Sequence, residues 1–344
     1  MGIEVSSETQ PGDILGDYKE TVLGMIPKYW NLTKLGDHVE DLIVPMRDKP
    51  KQFRGQIPWC RIDDINGKYL CTSKNGYFVD KDTISKMNLK VFPKGTVICS
   101  CSANLGICAI AENPLITNQT FIGIVPKNTF DTEFLYYLMI SYAKRLQLLS
   151  TGTTISYLPK DKFENFIVVK PPLNEQRKIA AILSAVDAAI EQTDAIITQT
   201  EQMKKGLMQY VFVTKAAQKK WEITNLSRLA QIEMGQSPPG STYNEIGDGM
   251  PLINGPTEFG QSCPKPIQWT TNPTKVCKKG DILFCVRGSS TGRLNSADRE
   301  YCIGRGVAAI RGKSNKGSTL FIRHYLMHEV PRIYKLAAGG GSTF

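Results

Sequence analysis

The sequence lacks the features of a membrane or secreted protein. No stretch approaches the roughly 18 consecutive apolar residues that a transmembrane helix needs, and the polar segment from Met1 to Asp17 has no apolar core of the kind found in a secretory signal. The nine cysteines are scattered, and no Cys-x-x-Cys pair indicates a zinc ribbon or a thioredoxin-like site. These absences predict a cytoplasmic protein whose cysteines stay reduced and behave as small hydrophobic residues.

Catalytic motifs for nucleic acids and nucleotides are also missing. The sequence has no Gly-x-x-x-x-Gly-Lys-Ser/Thr phosphate-binding loop and no Asn-Pro-Pro-aromatic or Asp-Pro-Pro-aromatic segment for methyl transfer to a flipped base. Acidic residues do not cluster with a lysine as a Mg²⁺-dependent nuclease would require. His324 and His328 have the spacing of a metal pair, but no third ligand accompanies them, which favours a pair on a surface helix. We therefore expect no catalytic, cofactor or metal site in this chain.

Positive charge is present but unevenly distributed. The chain of 344 residues has a net charge of +10. Residues 1–213 contain 24 Lys and Arg against 23 Asp and Glu, whereas residues 214–344 contain 18 against 9. A concentrated positive field favours a polyanion such as nucleic acid, because phosphate contacts supply most of the sequence-independent affinity. A general solubility bias is the alternative.

The chain also contains an internal repeat. Four segments recur in the same order, each pair separated by about 190 residues, which is the pattern of a duplicated module. The paired segments are 26–35 with 219–229, 57–59 with 250–252, 93–98 with 278–283, and 152–154 with 341–343. The sequence therefore predicts two copies of one module of about 150 residues.

Each module has mixed α/β character. Short apolar runs behind turns predict buried strands, and apolar residues at helical spacing predict a helix after them. The predicted strands are 97–101, 121–125, 282–286 and 307–310, and the predicted helices are 132–149 and 320–336. Pro331 is expected to kink or end the second helix.

A different segment lies between the two modules. Pro171-Pro172 excludes a helix upstream, and from Asn174, a suitable N-cap, a helical pattern continues to about residue 213, or roughly 60 Å. Apolar residues recur at alternating spacings of three and four, as in a coiled-coil seam. The seam comprises Ile179, Leu183, Val186, Ile190, Thr193, Ile197, Thr200, Met203, Leu207 and Tyr210. A helix this long needs a partner helix; a helix of a globular core is the alternative.

Two segments of the sequence, one near its start and one at the long helix, resemble the specificity subunits of type I restriction-modification enzymes. The residues from Tyr18 to Trp30 are similar to the opening of that family. Pro171-Pro172-Leu173-Asn174-Glu175-Gln176 and the helix after it, down to Lys204-Lys205-Gly206, resemble the family's central helix. The resemblance covers essentially the whole chain.

The resemblance implies a mixed α/β fold in which two target recognition domains are joined by a long coiled-coil helix. The first domain would comprise residues 1–170, the spacer helix 171–213, and the second domain, incomplete at its C-terminal end, 214–344. Each domain would read one half of a bipartite DNA site, and the helix would hold the two at a fixed spacing.

The resemblance also implies partners. They are double-stranded DNA, methylation subunits and nuclease/translocase subunits, and S-adenosylmethionine, ATP and Mg²⁺ would bind those other subunits. The expected partner-binding residues are Gln176, Ile179, Leu183, Val186, Ile190, Ile197, Met203 and Leu207. The sequence ends before the second conserved helix of the family pattern. The helix at 174–213 would then pair with another copy of the chain or with a methylation subunit; truncation of the chain is the alternative.

The candidate DNA contacts are turns bracketed by glycine and nearby basic or amide side chains. Such a turn lets the backbone approach a phosphate, and arginines beside it supply bidentate donors. The candidates are Arg54, Arg61, Lys68, Lys74, Ser102, Asn104, Asn118 and Gln119 in the first module, and Lys265, Arg287, Ser289, Ser290, Thr291, Arg293, Arg299 and Arg305 in the second. The alternatives are a plain β-turn, solvated surface charges, and amides that only begin a strand.

Two other classes of function stay open at this point. A DNA methyltransferase or nuclease with an unrecognised active site would act as the isolated chain. A structural coiled-coil adaptor would show no salt-dependent affinity for DNA, and it leaves the repeat and the positive second module unexplained. The specificity-subunit interpretation accounts for the repeat, the long helix and the charge together.

Overall fold

A computed structural model of the chain describes residues 17–102, 104–149, 158–215, 219 and 221–339. The chain divides into two compact units, Met1–Gln192 and Thr193–Phe344. Both units combine strands with helices, which confirms the mixed α/β class. The division falls inside the long helix, so the domain limits expected at residues 170 and 213 stay predictions.

The first unit is built from short strands and four short helices that precede the long one in the described residues. Its strands are β1 (Tyr18–Thr21), β2 (Gly24–Pro27), β3 (Asn31–Lys34), β4 (Val39–Ile43), β5 (Ile57–Cys60), β6 (Tyr69–Leu70), β7 (Phe78–Val79), β8 (Val97–Ser100), β9 (Cys108–Ala111), β10 (Ile116–Thr117), β11 (Phe121–Pro126) and β12 (Ile167–Lys170). Its helices are α1 (Lys81–Met87), α2 (Thr132–Ser141), α3 (Ala143–Leu149) and α4 (Lys160–Glu164).

The main sheet of the first unit has the strand order β4-β11-β8-β9-β6. Along β8, Val97 and Cys99 belong to one apolar cluster, whereas Ile98 belongs to another. Successive side chains of a strand point to opposite faces, so this sheet is buried on both sides. Its central strands therefore appear in the sequence as continuous apolar runs rather than alternating ones.

The long helix α5 (Leu173–Gln209) continues as a π-helix over Tyr210–Lys215. The carbonyl of Pro172 accepts hydrogen bonds from the N–H groups of Glu175 and Gln176, so the first turn already includes Asn174. The long helix is confirmed, but Asn174 is not its N-cap. No helix in the described part of the chain has the length and apolar character needed to cross a membrane.

The second unit repeats this plan. Its strands are β13 (Ala230–Met234), β14 (Tyr243–Asn244), β15 (Met250–Ile253), β16 (Gln268–Thr270), β17 (Val276–Cys277), β18 (Ile282–Cys285), β19 (Leu294–Ser296), β20 (Tyr301–Ile303) and β21 (Val307–Gly312). After α5 its helices are α6 (Leu226–Leu229) and α7 (Thr319–Gly339).

The strand topology confirms the internal repeat. The order β13-β21-β18-β19 corresponds to β4-β11-β8-β9 of the first unit, with the same antiparallel pairings. Each unit also has one matching parallel pair, β5 with β10 and β15 with β20. The paired segments 152–154 and 341–343 lie outside the described residues.

One of the two helix predictions is wrong and the other is confirmed. The segment 132–149 forms two helices, because Tyr142 leaves the helical conformation between α2 and α3. In the second unit, α7 continues through Pro331 rather than ending there. Ile333, beyond the proline, packs against the same cluster as Ile322 and Leu326, and this burial offsets the hydrogen bond that a proline removes.

Candidate nucleic-acid interface

A tight turn joins β18 to β19 and presents two arginines. Gly288 and Gly292 have φ of +70° and +92°, which L side chains rarely adopt. Arg287 and Arg293, at the two ends of the turn, are exposed. A hydrogen bond inside the turn stabilises it: the Thr291 hydroxyl donates to the Gly288 carbonyl at 2.8 Å. The Thr291 side chain is buried. Thr291 therefore stabilises the turn, and a DNA contact by its side chain stays a prediction.

Arg305 lies at the same end of this sheet. The N–H of Val286, next to Arg287, donates to the carbonyl of Gly306 at 3.0 Å, and the N–H of Cys285 donates to the carbonyl of Arg293 at 2.9 Å. Arg287, Arg293 and Arg305 therefore flank one sheet end, and Ser289 and Ser290 lie on the turn between the first two. No carboxylate in the described parts of the chain forms an ion pair with these arginines, so their charges face solvent.

Arg299 and Lys265 are not part of this group. Arg299 follows β19 at the opposite end of the sheet, where its guanidinium lies 5.4 Å from the ring centre of Tyr301. Lys265 belongs to a separate loop, in which its N–H donates to the carbonyl of Glu258. The structure brings together three of the five basic candidates in the second unit.

The counterpart turn in the first unit packs against a helix. Gly106 has φ +97°, and a Cβ added there would collide with the side chain of Ala143 at the start of α3. Ser102 is half-buried, and its carbonyl accepts from the Ser100 hydroxyl at 3.0 Å. Asn104 is exposed. Gly106 is therefore required for packing, and Asn104 is the candidate here whose side chain reaches solvent.

The other candidates of the first unit are spread over several loops. Arg54 makes an ion pair of 3.0 Å with Asp80 but stays 75% exposed. The guanidinium of Arg61 lies 5.5 Å from the ring centres of both Trp59 and Tyr77. The ammonium of Lys74 donates to the carbonyl of Asp63, which fixes the loop around it. All three retain donors that an anion can approach.

Asn118 and Gln119 form the turn between β10 and β11. The Asn118 side-chain oxygen accepts from the Thr120 hydroxyl at 2.7 Å, so this amide organises its own turn. Gln119 is exposed. Among these two residues, Gln119 keeps the amide that a base edge could meet.

Lys68 has a structural role. Its side chain is 13% exposed, and its ammonium lies 3.2 Å from Glu133 on α2 and 2.9 Å from the hydroxyl of Ser184 on α5. Tyr69 also donates to Glu133, and Tyr137 donates to Asp187 on α5 at 2.6 Å. This half-buried lysine is engaged in a network within the unit, and a DNA contact by Lys68 stays a prediction.

The Glu133 carboxylate gives this network a pH dependence. Burial alone would raise the pKa of Glu133, but hydrogen bonds from Ser184, Tyr69 and Lys68 outweigh burial and hold that pKa below its ordinary value of 4.5. Stability from this group is then present at neutral pH and is lost as the pH falls below about 4.5.

We expect Glu133→Gln to flatten the dependence of unfolding free energy on pH between pH 5 and 3, measured by denaturant titration. An unchanged pH profile would contradict this role.

The first part of α5 is fixed to the first unit. Gln176 is fully buried: its side-chain oxygen accepts from the N–H of Asp131 at 2.9 Å, and its amide donates to the carbonyls of Pro171 and Thr129. Ile179 packs against the core. These two residues hold the helix to its own domain. The partner-binding prediction is wrong for the fully buried Gln176, and for the partly buried Ile179 it stays a prediction.

Further along α5 the apolar residues are exposed. The members of this exposed apolar face are Leu183, Val186, Ile190, Ile197, Met203 and Leu207. Ile182 and Ile196, which the seam pattern omitted, are exposed as well. An exposed apolar stripe on a helix marks an interaction surface. The alternative of a core helix is therefore wrong for this part of α5.

Four of the nine cysteines are poorly suited to act as nucleophiles. Burial raises the pKa of Cys60 and Cys277 to about 12 and the pKa of Cys101 and Cys285 to about 11. These four side chains are neutral thiols at pH 7, whereas the thiolate is the reactive form. Within the described ranges, no group of three His, Cys, Asp or Glu residues could hold a metal ion.

Comparison with known proteins identifies the family. The family model for the type I restriction modification DNA specificity domain matches residues 27–202. The MjaX specificity subunit of Methanocaldococcus jannaschii is 30% identical over 95% of this chain and 82% of its own length. The chain belongs to the type I restriction-modification specificity subunits.

Other specificity subunits extend this comparison. The EcoKI specificity subunit of Escherichia coli K12 is 26% identical over 67% of this chain and 54% of its own length. A chain from a type I restriction-modification complex is 26% identical, with a TM-score of 0.56 over 90% of this chain and 82% of that one. The S subunit of M. genitalium shares the fold, with a TM-score of 0.58 and 17% identity over 91% of this chain and 80% of that one. Specificity subunits are the non-catalytic, DNA-recognising component of complexes with other subunits.

Proposed function

We propose that this specificity subunit reads a bipartite DNA site, one half with each unit, and that α5 sets the spacing and binds methylation subunits. The observation that carries this proposal is the repeated sheet, β4-β11-β8-β9 and β13-β21-β18-β19, on either side of one long helix in the sequence. Two copies of one DNA-reading domain fit a target with two half-sites. No observation favours a methyltransferase or nuclease.

The other subunits supply the chemistry in this proposal. Methylation subunits bind S-adenosylmethionine, and nuclease/translocase subunits use ATP and Mg²⁺. The exposed apolar face of α5 is the surface that a helix of another subunit, or of a second copy of this chain, would cover. The complex would act in the cytoplasm, where the chain meets DNA.

Co-purification with the cognate methylation subunit, followed by mapping of methylated sites on genomic DNA, tests this function. The expected result is a split motif, in which two short blocks are separated by a fixed gap. Loss of methylation when this chain is omitted is the necessary control. A continuous motif, or methylation by this chain alone, would contradict the proposal.

The arginines at one sheet end provide a test of the second unit. We expect Arg287→Ala and Arg305→Ala each to weaken binding to the mapped site by about 1–3 kcal/mol. The matched control is Arg299→Ala, at the other end of the same sheet, which should change affinity by less than about 0.5 kcal/mol. Fluorescence anisotropy with a labelled duplex measures all three. Equal losses for all three variants would mean that these arginines act only through net charge.

A further inference from the structure

One loop of the first unit is strongly basic although the unit as a whole is not. The loop of residues 44–56, between β4 and β5, contains four Lys and Arg against one acid. The corresponding loop of the second unit, residues 235–249 between β13 and β15, contains no Lys or Arg and two acids. The basic loop is therefore a property of the first unit and not of the shared fold.

The basic loop forms one wall of an open cleft, and α1 forms the other. Lys49, Lys51 and Arg54 line the loop side, and Lys86 lines the side of α1, around a volume of about 630 Å³. Arg54 is paired with Asp80. The three lysines are exposed and outweigh Asp48, the acidic residue of the lining, so the cleft is positively charged.

The basic loop is held in place by aromatic packing. Phe53 stacks on Tyr77 with ring centres 4.2 Å apart, and the ring of Trp59 packs against Phe53. The Lys49 ammonium lies 5.5, 5.8 and 5.6 Å from the ring centres of Phe53, Trp59 and Tyr77. Cation–π contacts with three rings restrain a side chain that is otherwise among the most flexible.

Gly55 fixes the end of the loop. Its φ is +131°, and a Cβ there would collide with the backbone of Val79 and Asp80. The aromatic group, the Arg54–Asp80 pair and Gly55 together order the loop before any ligand arrives. Binding by such a loop costs less conformational entropy than binding by a mobile one.

We propose that this cleft binds the sugar-phosphate backbone of DNA, with Lys49, Lys51 and Lys86 each contacting a phosphate. Lysine ammonium groups are point charges suited to phosphates, and phosphate contacts fix the register of a protein on a duplex. The cleft positions the first unit, and the bases are read elsewhere. This inference rests on the DNA-reading function proposed above and adds a surface to it.

The test compares two triple variants of the full chain. In the first, Lys49→Gln, Lys51→Gln and Lys86→Gln remove the three cleft charges. In the control, Lys144→Gln, Lys162→Gln and Lys178→Gln remove three exposed charges outside the cleft. Thermal unfolding of both variants checks that the fold is retained. Affinity is measured by anisotropy over a series of KCl concentrations, with a mixed-sequence duplex and with the mapped site.

The expected result is a change in salt dependence. Removing three phosphate contacts should lower the slope of log K against log[salt] by about 2.7 and weaken binding roughly ten- to a hundredfold at low salt. Both duplexes should be affected equally, the control should keep the wild-type slope, and inorganic phosphate at matched ionic strength should not displace the duplex.

The remaining outcomes separate a failure of the cleft proposal from a failure of the proposed DNA-reading function. An unchanged slope in the cleft variant, or the same loss in the control, would overturn the cleft and leave the DNA-reading function intact. A loss confined to the mapped site would make the cleft a base-reading surface and also overturn the inference. Displacement by inorganic phosphate would make it a small-anion site. Failure of the wild-type chain to bind either duplex would instead count against the proposed function itself.

Discussion

Replacing Ile190 and Ile197 with glutamate is expected to abolish the binding of methylation subunits that we propose for α5. Both side chains are about half exposed on α5, seven residues apart on the exposed apolar face. A partner helix that covers them would have to bury two unpaired carboxylates, and each should cost at least about 1–3 kcal/mol. The affinity of the complex should therefore fall at least about thirtyfold. Co-purification followed by titration of the purified subunits measures the loss.

The matched control for this variant adds the same charge to the same helix. Gln192→Glu with Gln199→Glu keeps the separation of seven residues but uses polar, exposed positions. We expect this control to assemble as the wild type does. Equal loss of assembly in both variants would show that the added charge, and not the apolar face, is responsible. Full assembly of the Ile190 and Ile197 variant would rule out this face as the docking surface.

Gln176→Ala is expected to lower the free energy of unfolding of the first unit by about 3–5 kcal/mol. The side chain is fully buried, and its loss leaves the N–H of Asp131 and the carbonyls of Pro171 and Thr129 without their partner. It also leaves a cavity where α5 joins the domain. Denaturant titration followed by circular dichroism gives the value.

Gln202→Ala serves as its control, because Gln202 is exposed on the same helix. Its expected effect is within about 0.5 kcal/mol. If Gln176→Ala were no more destabilising than Gln202→Ala, the hydrogen bonds at the start of α5 would contribute nothing measurable.

The sequence predicted the elements that local chemistry determines. Val97–Ser100 and Ile282–Cys285 are confirmed as strands, because a continuous apolar run behind a Lys-Gly turn has few other uses in a folded chain. The long helix is confirmed for a similar reason, since no glycine or proline interrupts Asn174 to Lys205. The break at Tyr142 was not predictable, because the apolar periodicity continues through it.

The candidate site was less predictable, because a charged residue has the same sequence signature whether it is solvated or buried. Lys68 differs from Lys49 only in its tertiary surroundings: α2 and α5 close over Lys68, whereas Lys49 faces an open cleft. The sequence pattern predicts a partner contact for Gln176, whereas the structure shows that this side chain holds the helix to its own domain. The clustering of Lys49, Lys51 and Arg54 within a short stretch was a visible signal for the basic loop.

The duplicated sheet also separates mutations that affect folding from mutations that affect DNA recognition. Strand positions such as those of β8 and β18 are buried on both faces in each unit, so substitutions there change how much folded protein exists. The loops between equivalent strands differ in charge and length, and substitutions of their exposed side chains leave the frame intact, whereas Gly55 and Gly106 are exceptions because a side chain there would collide with neighbouring residues. Under the proposed bipartite reading, variation in one loop of one unit would change one half of the recognised DNA site and leave the other half and the spacing unchanged.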